Sequence, residues 1–69
     1  MMISFSKKFY NLTAIENSIR AYAGLAAFNI EKNKRNIVVK VTNIDEEVKN
    51  IFRDEFCNYI LSEMENKSQ

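Results

Sequence analysis

The segment from 36 to 43, NIVVKVTN, is the feature that most limits what this chain can fold into. In an extended backbone Ile37, Val39 and Val41 share one face, whereas Lys40 lies on the other. β-Branched residues at this spacing are typical of a strand. Because only one face is apolar throughout, the strand is expected in a sheet that is covered on one side and open to water on the other.

Two shorter segments show the same alternation and are predicted to be strands. They are MISFS near the amino terminus and AFNIE in the middle of the chain. The polar stretch KNKRN separates the second of them from NIVVKVTN, and its Asn residues are typical of a hairpin loop. The chain therefore offers three short strands, the last two joined as a hairpin.

Helical spacing appears between the first two strands. Apolar side chains recur there at intervals of three and four, at Leu12, Ile15, Ile19, Tyr22 and Ala26. Two starts are compatible with the sequence. Thr13 with Glu16 fits a capping box, whereas Asn11 as the cap would let Tyr10 pack onto Ile15. Either start places the first helical turn between 11 and 14.

The ends of the two helices are less sharply marked. Gly24 either terminates the first helix in the left-handed conformation or lies inside a helix that runs to Ala26, and we expect the end in this interval. A second helix is expected from about 45 to 64. Its cap is either Asp45 alone or Asn43 with the Glu three residues later.

The element order β-α-β-β-α predicts an α+β fold of one domain over residues 1–69, with a disordered tail from about 65 to 69. A right-handed crossover makes strands 1 and 2 parallel, and strand 3 returns antiparallel between them. We therefore expect a two-layer sandwich. Its three-stranded mixed sheet has the order 1-3-2, and both helices cover one face.

Composition excludes several kinds of site. The chain has 69 residues, of which 46% are hydrophobic, and it contains no His and one cysteine, Cys57. Disulfides are excluded, and four zinc ligands of the usual type are not available. With neither His nor a phosphate-binding motif, we expect no catalytic residue, cofactor or metal, and therefore no enzyme. Cys57 is interpreted as a packing residue, with a reactive thiol as the alternative.

Charge and hydropathy point to a cytoplasmic protein. The formal net charge is +1, so no strong field attracts nucleic acid or an anionic membrane. The amino-terminal residues lack the apolar core of a signal peptide, and no run of apolar residues is long enough to span a bilayer. We expect protein or peptide partners and no membrane.

A surplus of apolar residues in the second helix predicts a partner. A helix over 45–64 would be about 30 Å long, whereas strands of about six residues reach only about 20 Å. Its last turns would then extend past the sheet. The proposed partner-binding residues are Phe56, Cys57, Ile60, Leu61 and Met64. A homodimer is the expected use of this stripe, and the alternative is that helix 1 packs across it.

The second strand is the other candidate surface. In the order 1-3-2 it lies at an edge of the sheet, so its unpaired backbone groups could accept an added peptide strand. The residues of this hypothesis are Phe28, Asn29, Ile30 and Glu31.

Basic residues form two clusters in the sequence, Lys7 with Lys8 and Lys32 with Lys34 and Arg35. A small RNA-binding domain would place such residues on one face among aromatic side chains. The simpler interpretation is a solvated loop that keeps the hairpin soluble. RNA binding is therefore retained only as an alternative function.

The succession of FSKKFYNLTAIENSIRAYAG, FNIE, IVVKV and FRDEFCNYILSEM resembles the His-Xaa-Ser system protein HxsD and HxsD-like proteins over roughly 3–63. The matching positions are Tyr10, Leu12, Phe52, Glu55, Phe56 and Leu61, with Asp54 where the family tends to have Asn. The chain departs from the family in ending SEM after Leu61, where a basic residue is common. It also lacks the His-Xaa-Ser repeat of the modified precursor.

The resemblance implies an accessory protein that acts beside a radical SAM maturase. Such a protein would hold a precursor peptide or dock on the maturase, and it would not itself be modified. A structural homo-oligomeric interaction module of an unrelated pathway is the competing interpretation.

Overall fold

The computed structural model describes residues 1–67. The elements are β1 (Met2–Ser6), α1 (Leu12–Ala21), β2 (Ala27–Lys32), β3 (Asn36–Thr42), a 3-10 turn (Glu46–Val48) and α2 (Phe52–Lys67). The predicted order and the α+β class are confirmed.

The sheet has the strand order β1-β3-β2, as predicted. β3 is antiparallel to both neighbours. β1 and β2 therefore run in the same direction, but they do not touch, so every hydrogen-bonded pair is antiparallel. The two outer strands are thus parallel to each other, as predicted, but no hydrogen bonds join them.

Both helices cover the apolar face of the sheet. The fully buried core residues are Ile3, Phe5, Ala14, Ile15, Ile37, Val39, Val41, Phe52, Phe56 and Ile60. The strand residues among them are every second one, so they share a face, and the helical ones come from α1 and α2. The opposite face carries polar side chains such as Ser4, Asn29 and Lys40. The sandwich thus has two layers and one core.

Asn11 caps α1, which decides between the two predicted starts. Its side-chain Oδ1 accepts a hydrogen bond from the Ala14 backbone N–H at 2.7 Å, which satisfies one of the free donors of the first turn. The helix ends at Ala21, before the predicted interval, and no glycine of the described residues has a positive φ. Gly24 therefore lies in the turn and does not cap the helix.

Tyr22, just after α1, explains the early end. Its ring packs edge-on against Phe52, Phe56 and Tyr59 at 5.5–5.8 Å, and its hydroxyl donates to the Glu55 carbonyl at 3.3 Å. These contacts fix the side chain against α2. The backbone turns at this point, and the Leu25 N–H donates to the Tyr22 carbonyl at 2.9 Å.

The predicted helix over 45–64 is wrong at its start. Asp45 is a cap, but the residues after it form a 3-10 turn. The N–H groups of Val48, Lys49 and Ile51 each donate to the carbonyl three residues earlier. α-Helical bonding begins only when the Glu55 N–H donates to the Ile51 carbonyl at 3.0 Å. A cap and an acidic first turn serve 3-10 and α-helices alike, so the sequence does not separate them.

At its other end α2 continues to Lys67, so the predicted disordered tail is wrong for 65–67, and residues 68 and 69 lie outside the described part of the chain. Within residues 1–67 no helix has the length and hydropathy needed to cross a membrane.

Candidate functional site

β2 is an edge strand, as the peptide-strand hypothesis requires. It pairs only with β3 along its whole length, and its other side has no neighbouring strand. The residues of that hypothesis, Phe28, Asn29, Ile30 and Glu31, all lie within it. The position of the strand is thus confirmed, whereas binding of a peptide to it stays a prediction.

The hydrogen-bond pattern shows which backbone groups of β2 face outward. The Asn33 N–H donates to the Asn36 carbonyl at 3.0 Å, and hydrogen-bonded pairs alternate along an antiparallel ladder. In the register of the two strands, the next such pairs inward involve Glu31 and then Asn29. The N–H and C=O groups of Phe28, Ile30 and Lys32 must therefore point away from β3; we call these groups the β2 edge.

The pairing of β3 with β1 shows independently which backbone groups of β3 face β2. The Lys7 N–H donates to the Arg35 carbonyl at 2.9 Å, and Met1 exchanges two hydrogen bonds with Val41. Odd-numbered residues of β3 thus face β1 and even-numbered ones face β2. Both ladders therefore leave the N–H and C=O groups of the β2 edge on the side of β2 that has no neighbouring strand among residues 1–67.

α2 lies over this strand. The Phe28 ring stacks on Phe56 at 5.4 Å between centroids and lies 5.9 Å from Phe52. On its other side α2 contacts α1, since the Asn17 side chain donates to Glu63 at 3.2 Å. The side of α2 that faces away from α1 is therefore on the β2 side of the domain.

Three apolar side chains lie on that outer side of α2. Cys57, Leu61 and Met64 are spaced by four and three residues, so they form one line along the helix; we call it the α2 flank. Leu61 is 44% exposed, and the other two are half-buried against the core. The β2 edge and the α2 flank thus belong to the same side of the domain, the first with polar backbone groups and the second with apolar side chains.

The predicted partner stripe is corrected by the burial of two of its members. Phe56 and Ile60 are fully buried in the core of the single protomer, so neither can contact a partner. The reason is the register of α2, in which Phe52, Phe56 and Ile60 are spaced by four residues and together face the sheet. The three remaining members of the stripe are the α2 flank. Two surfaces that the sequence presented as separate thus lie on the same side of the domain.

The thiol in the α2 flank is not activated. Burial raises the pKa of Cys57, and Asp54 adds to that rise, while Arg53 acts in the opposite direction. Because the thiolate is the nucleophilic form, a raised pKa leaves Cys57 protonated near neutral pH. Cys57 therefore contributes apolar surface.

Other surfaces offer less for chemistry. An open depression of about 170 Å³ lies beside the exposed Ile51, and another of about 380 Å³ lies near Asn43. Among the described residues no group of three His, Cys, Asp or Glu side chains lies close enough together to hold a metal ion.

The structure also joins the two basic clusters of the sequence. Because the Lys7 N–H donates to the Arg35 carbonyl, the turn after β1 lies beside the tip of the β2–β3 hairpin. We call this the hairpin end; its cations are Lys7, Lys8, Lys32, Lys34 and Arg35. None of these cations forms an ion pair with a carboxylate of the described residues. Phe9 lies in the same turn, 69% exposed, and sequence reasoning had not singled it out.

Amide hydrogen exchange should alternate along β2. We expect the amides of Phe28, Ile30 and Lys32 to exchange quickly, and those of Asn29 and Glu31 to be protected by their bonds to β3. Native-state exchange followed by NMR at low protein concentration measures this. Equal protection along the strand would show that the β2 edge is already covered in solution.

Comparison of the chain with protein-family models, with curated proteins and with solved structures yields no match.

Proposed function

We propose that this protein is a non-enzymatic adaptor that binds an extended segment of a peptide or partner protein along the β2 edge. The observation that carries the proposal is the row of outward N–H and C=O groups on Phe28, Ile30 and Lys32 beside the apolar α2 flank. An added strand would use these groups for hydrogen bonds, and the flank would contact its side chains.

The geometry implies a sequence pattern for the bound segment. Residues that pair with Phe28 and Ile30 would share their face of the sheet and lie under α2, whereas the residues between them would face water beside Asn29 and Glu31. The segment should therefore alternate apolar and polar side chains. Its backbone bonds supply affinity, and the flank selects the apolar positions.

The resemblance to HxsD-like proteins gives this adaptor a setting. We propose that the bound segment belongs to a precursor peptide or to a radical SAM maturase, in a reduced, cytoplasmic compartment. The lone, protonated thiol and the apolar flank suit such a holding role.

Substitution of Lys32 tests the proposal. Lys32→Pro removes an outward N–H without breaking a bond to β3, and proline is tolerated where a strand N–H faces solvent. Lys32→Ala is the matched control, since it loses the same side chain and retains the N–H. We expect the proline variant to bind about fivefold more weakly than the alanine variant, the equivalent of about one hydrogen bond.

The ligands for this measurement come from a phage-displayed library of random 12-residue peptides selected on the unmodified protein. Selected peptides should protect the amides of Phe28, Ile30 and Lys32 from exchange. Peptides that protect none of them, or that bind both Lys32 variants equally, would contradict the proposal.

A further inference from the structure

The two ends of β2 carry opposite charge. The hairpin end, whose cations form no ion pair with the described carboxylates, includes Lys32 at the end of the strand. At the other end, the Asp45 N–H donates to the carbonyl of Leu25, just before β2 begins. Asp45, Glu46 and Glu47 are all exposed there, and we call them the acidic end. Lys49 and the amino-terminal ammonium of Met1 lie in the same region, so the three carboxylates exceed these two cations by one charge.

The length of β2 separates the electrostatic effects of the charges at its two ends. Six residues of strand span about 20 Å, whereas the Debye length at physiological salt is about 8 Å. A charge on a bound segment is therefore affected mainly by the end of the strand that it lies beside. Acidic residues are stabilised next to the hairpin end and repelled next to the acidic end.

The direction of the bound segment decides which of its residues lie beside each charged end of β2. An antiparallel added strand is favoured over a parallel one, so a segment on the β2 edge begins beside Lys32 and ends beside Ala27. We propose, resting on the proposed function, that the preferred ligand is a peptide whose acidic residues precede an alternating apolar stretch.

Phe9 lies at the hairpin end on the β1 side of the sheet. The Phe9 and Tyr10 N–H groups both donate to the Ser6 carbonyl, at 3.1 and 2.9 Å, in a tight turn that leaves the Phe9 ring 69% exposed. The ring lies next to Lys7 and Lys8 in the chain. β3 separates the Phe9 ring and these lysines from the β2 edge, so the cations nearest to a bound peptide are Lys32, Lys34 and Arg35.

Two isomeric peptides test the inference. One carries Asp-Asp-Glu before Thr-Val-Thr-Val-Thr-Val, and the other carries the same acidic tripeptide after it, so composition and net charge are identical. We expect the acid-first peptide to bind about fivefold more tightly in 50 mM salt, and the difference to vanish in 1 M salt as screening increases. Amide protection of the β2 edge reports where each peptide binds.

Charge reversal at the hairpin end provides the control. Arg35→Glu should abolish or invert the preference, because its backbone bonds remain and only the side-chain charge changes. Arg20→Glu changes the net charge equally but lies in the last turn of α1, at the opposite end of the sheet. This variant should retain or increase the preference.

The outcomes separate the two proposals. Equal binding of both isomers, or tighter binding of the acid-last peptide, with the β2 edge protected, would overturn the charge order and leave the adaptor function standing. If neither isomer protects the β2 edge, both proposals are overturned. Binding of a ten-residue oligouridylate that is lost in Phe9→Ala, with no isomer preference, would assign the hairpin end to single-stranded RNA instead.

Discussion

Phe56→Ala should remove most of the stability of the domain. The Phe56 ring is fully buried, stacks on Phe28 and Phe52 and contacts Tyr22, so it joins α2 to β2 and to the end of α1. Truncation of a buried Phe costs about 3–5 kcal/mol. A domain of 69 residues is expected near the lower end of the usual range, about 5 kcal/mol, so little stability would remain.

Phe9→Ala is the matched control, because it makes the same chemical change at a ring that is 69% exposed. Its effect should be within about 0.5 kcal/mol. Urea denaturation followed by circular dichroism measures both. Similar losses in the two variants would contradict the burial of Phe56, since only a buried ring can account for the difference.

Ile60→Ala and Leu61→Ala should differ strongly although the residues are adjacent. Ile60 is fully buried on the side of α2 that faces the sheet, and its truncation should cost about 2–5 kcal/mol through lost contacts and the cavity that remains. Leu61 is 44% exposed on the α2 flank, and its truncation should cost less than about 1 kcal/mol.

The same urea experiment reports the free energy of unfolding of both variants, and peptide binding provides the second measurement. Leu61→Ala should weaken binding of the selected peptides while the protein stays folded. A stable Ile60→Ala protein together with an unstable Leu61→Ala protein would mean that α2 is rotated about its axis, and the α2 flank would then not exist as described.

The strands and their order could be predicted because each carries a strict alternation and the topology has few alternatives. Ile37, Val39 and Val41 could only be a covered face. A right-handed crossover then left β3 the central position. The cap of α1 was also among the predicted alternatives, since Asn11 has the side chain that the position needs.

The rotation of α2 about its axis could not be predicted. Two stripes compete on this helix, and the sequence does not say which one faces the sheet. Ile51 and Tyr59 are hydrophobic residues, as Ile60 is, but they are 54% and 37% exposed, whereas Ile60 is fully buried. One turn of 3-10 helix before Phe52 changes the phase of everything after it.

The hairpin end depended on strand register, which alternation alone does not fix. Lys7 and Arg35 are 28 positions apart in the sequence, and they meet only because β1 pairs with β3 in the observed register. The position of the α2 flank on the β2 side of the domain has a similar origin. It results from the packing of Phe28 against α2, a contact between distant segments.

The unpaired side of β2 also bears on how the purified protein would behave when concentrated. Two copies placed about a two-fold axis, with Ile30 facing its own counterpart, would set Glu31 against Asn29 and avoid opposing like charges. Such a dimer and a bound peptide would both use the N–H and C=O groups of the β2 edge, so each would exclude the other. The apparent peptide affinity would then fall as protein concentration rises, and dilution would favour the peptide-bound protomer.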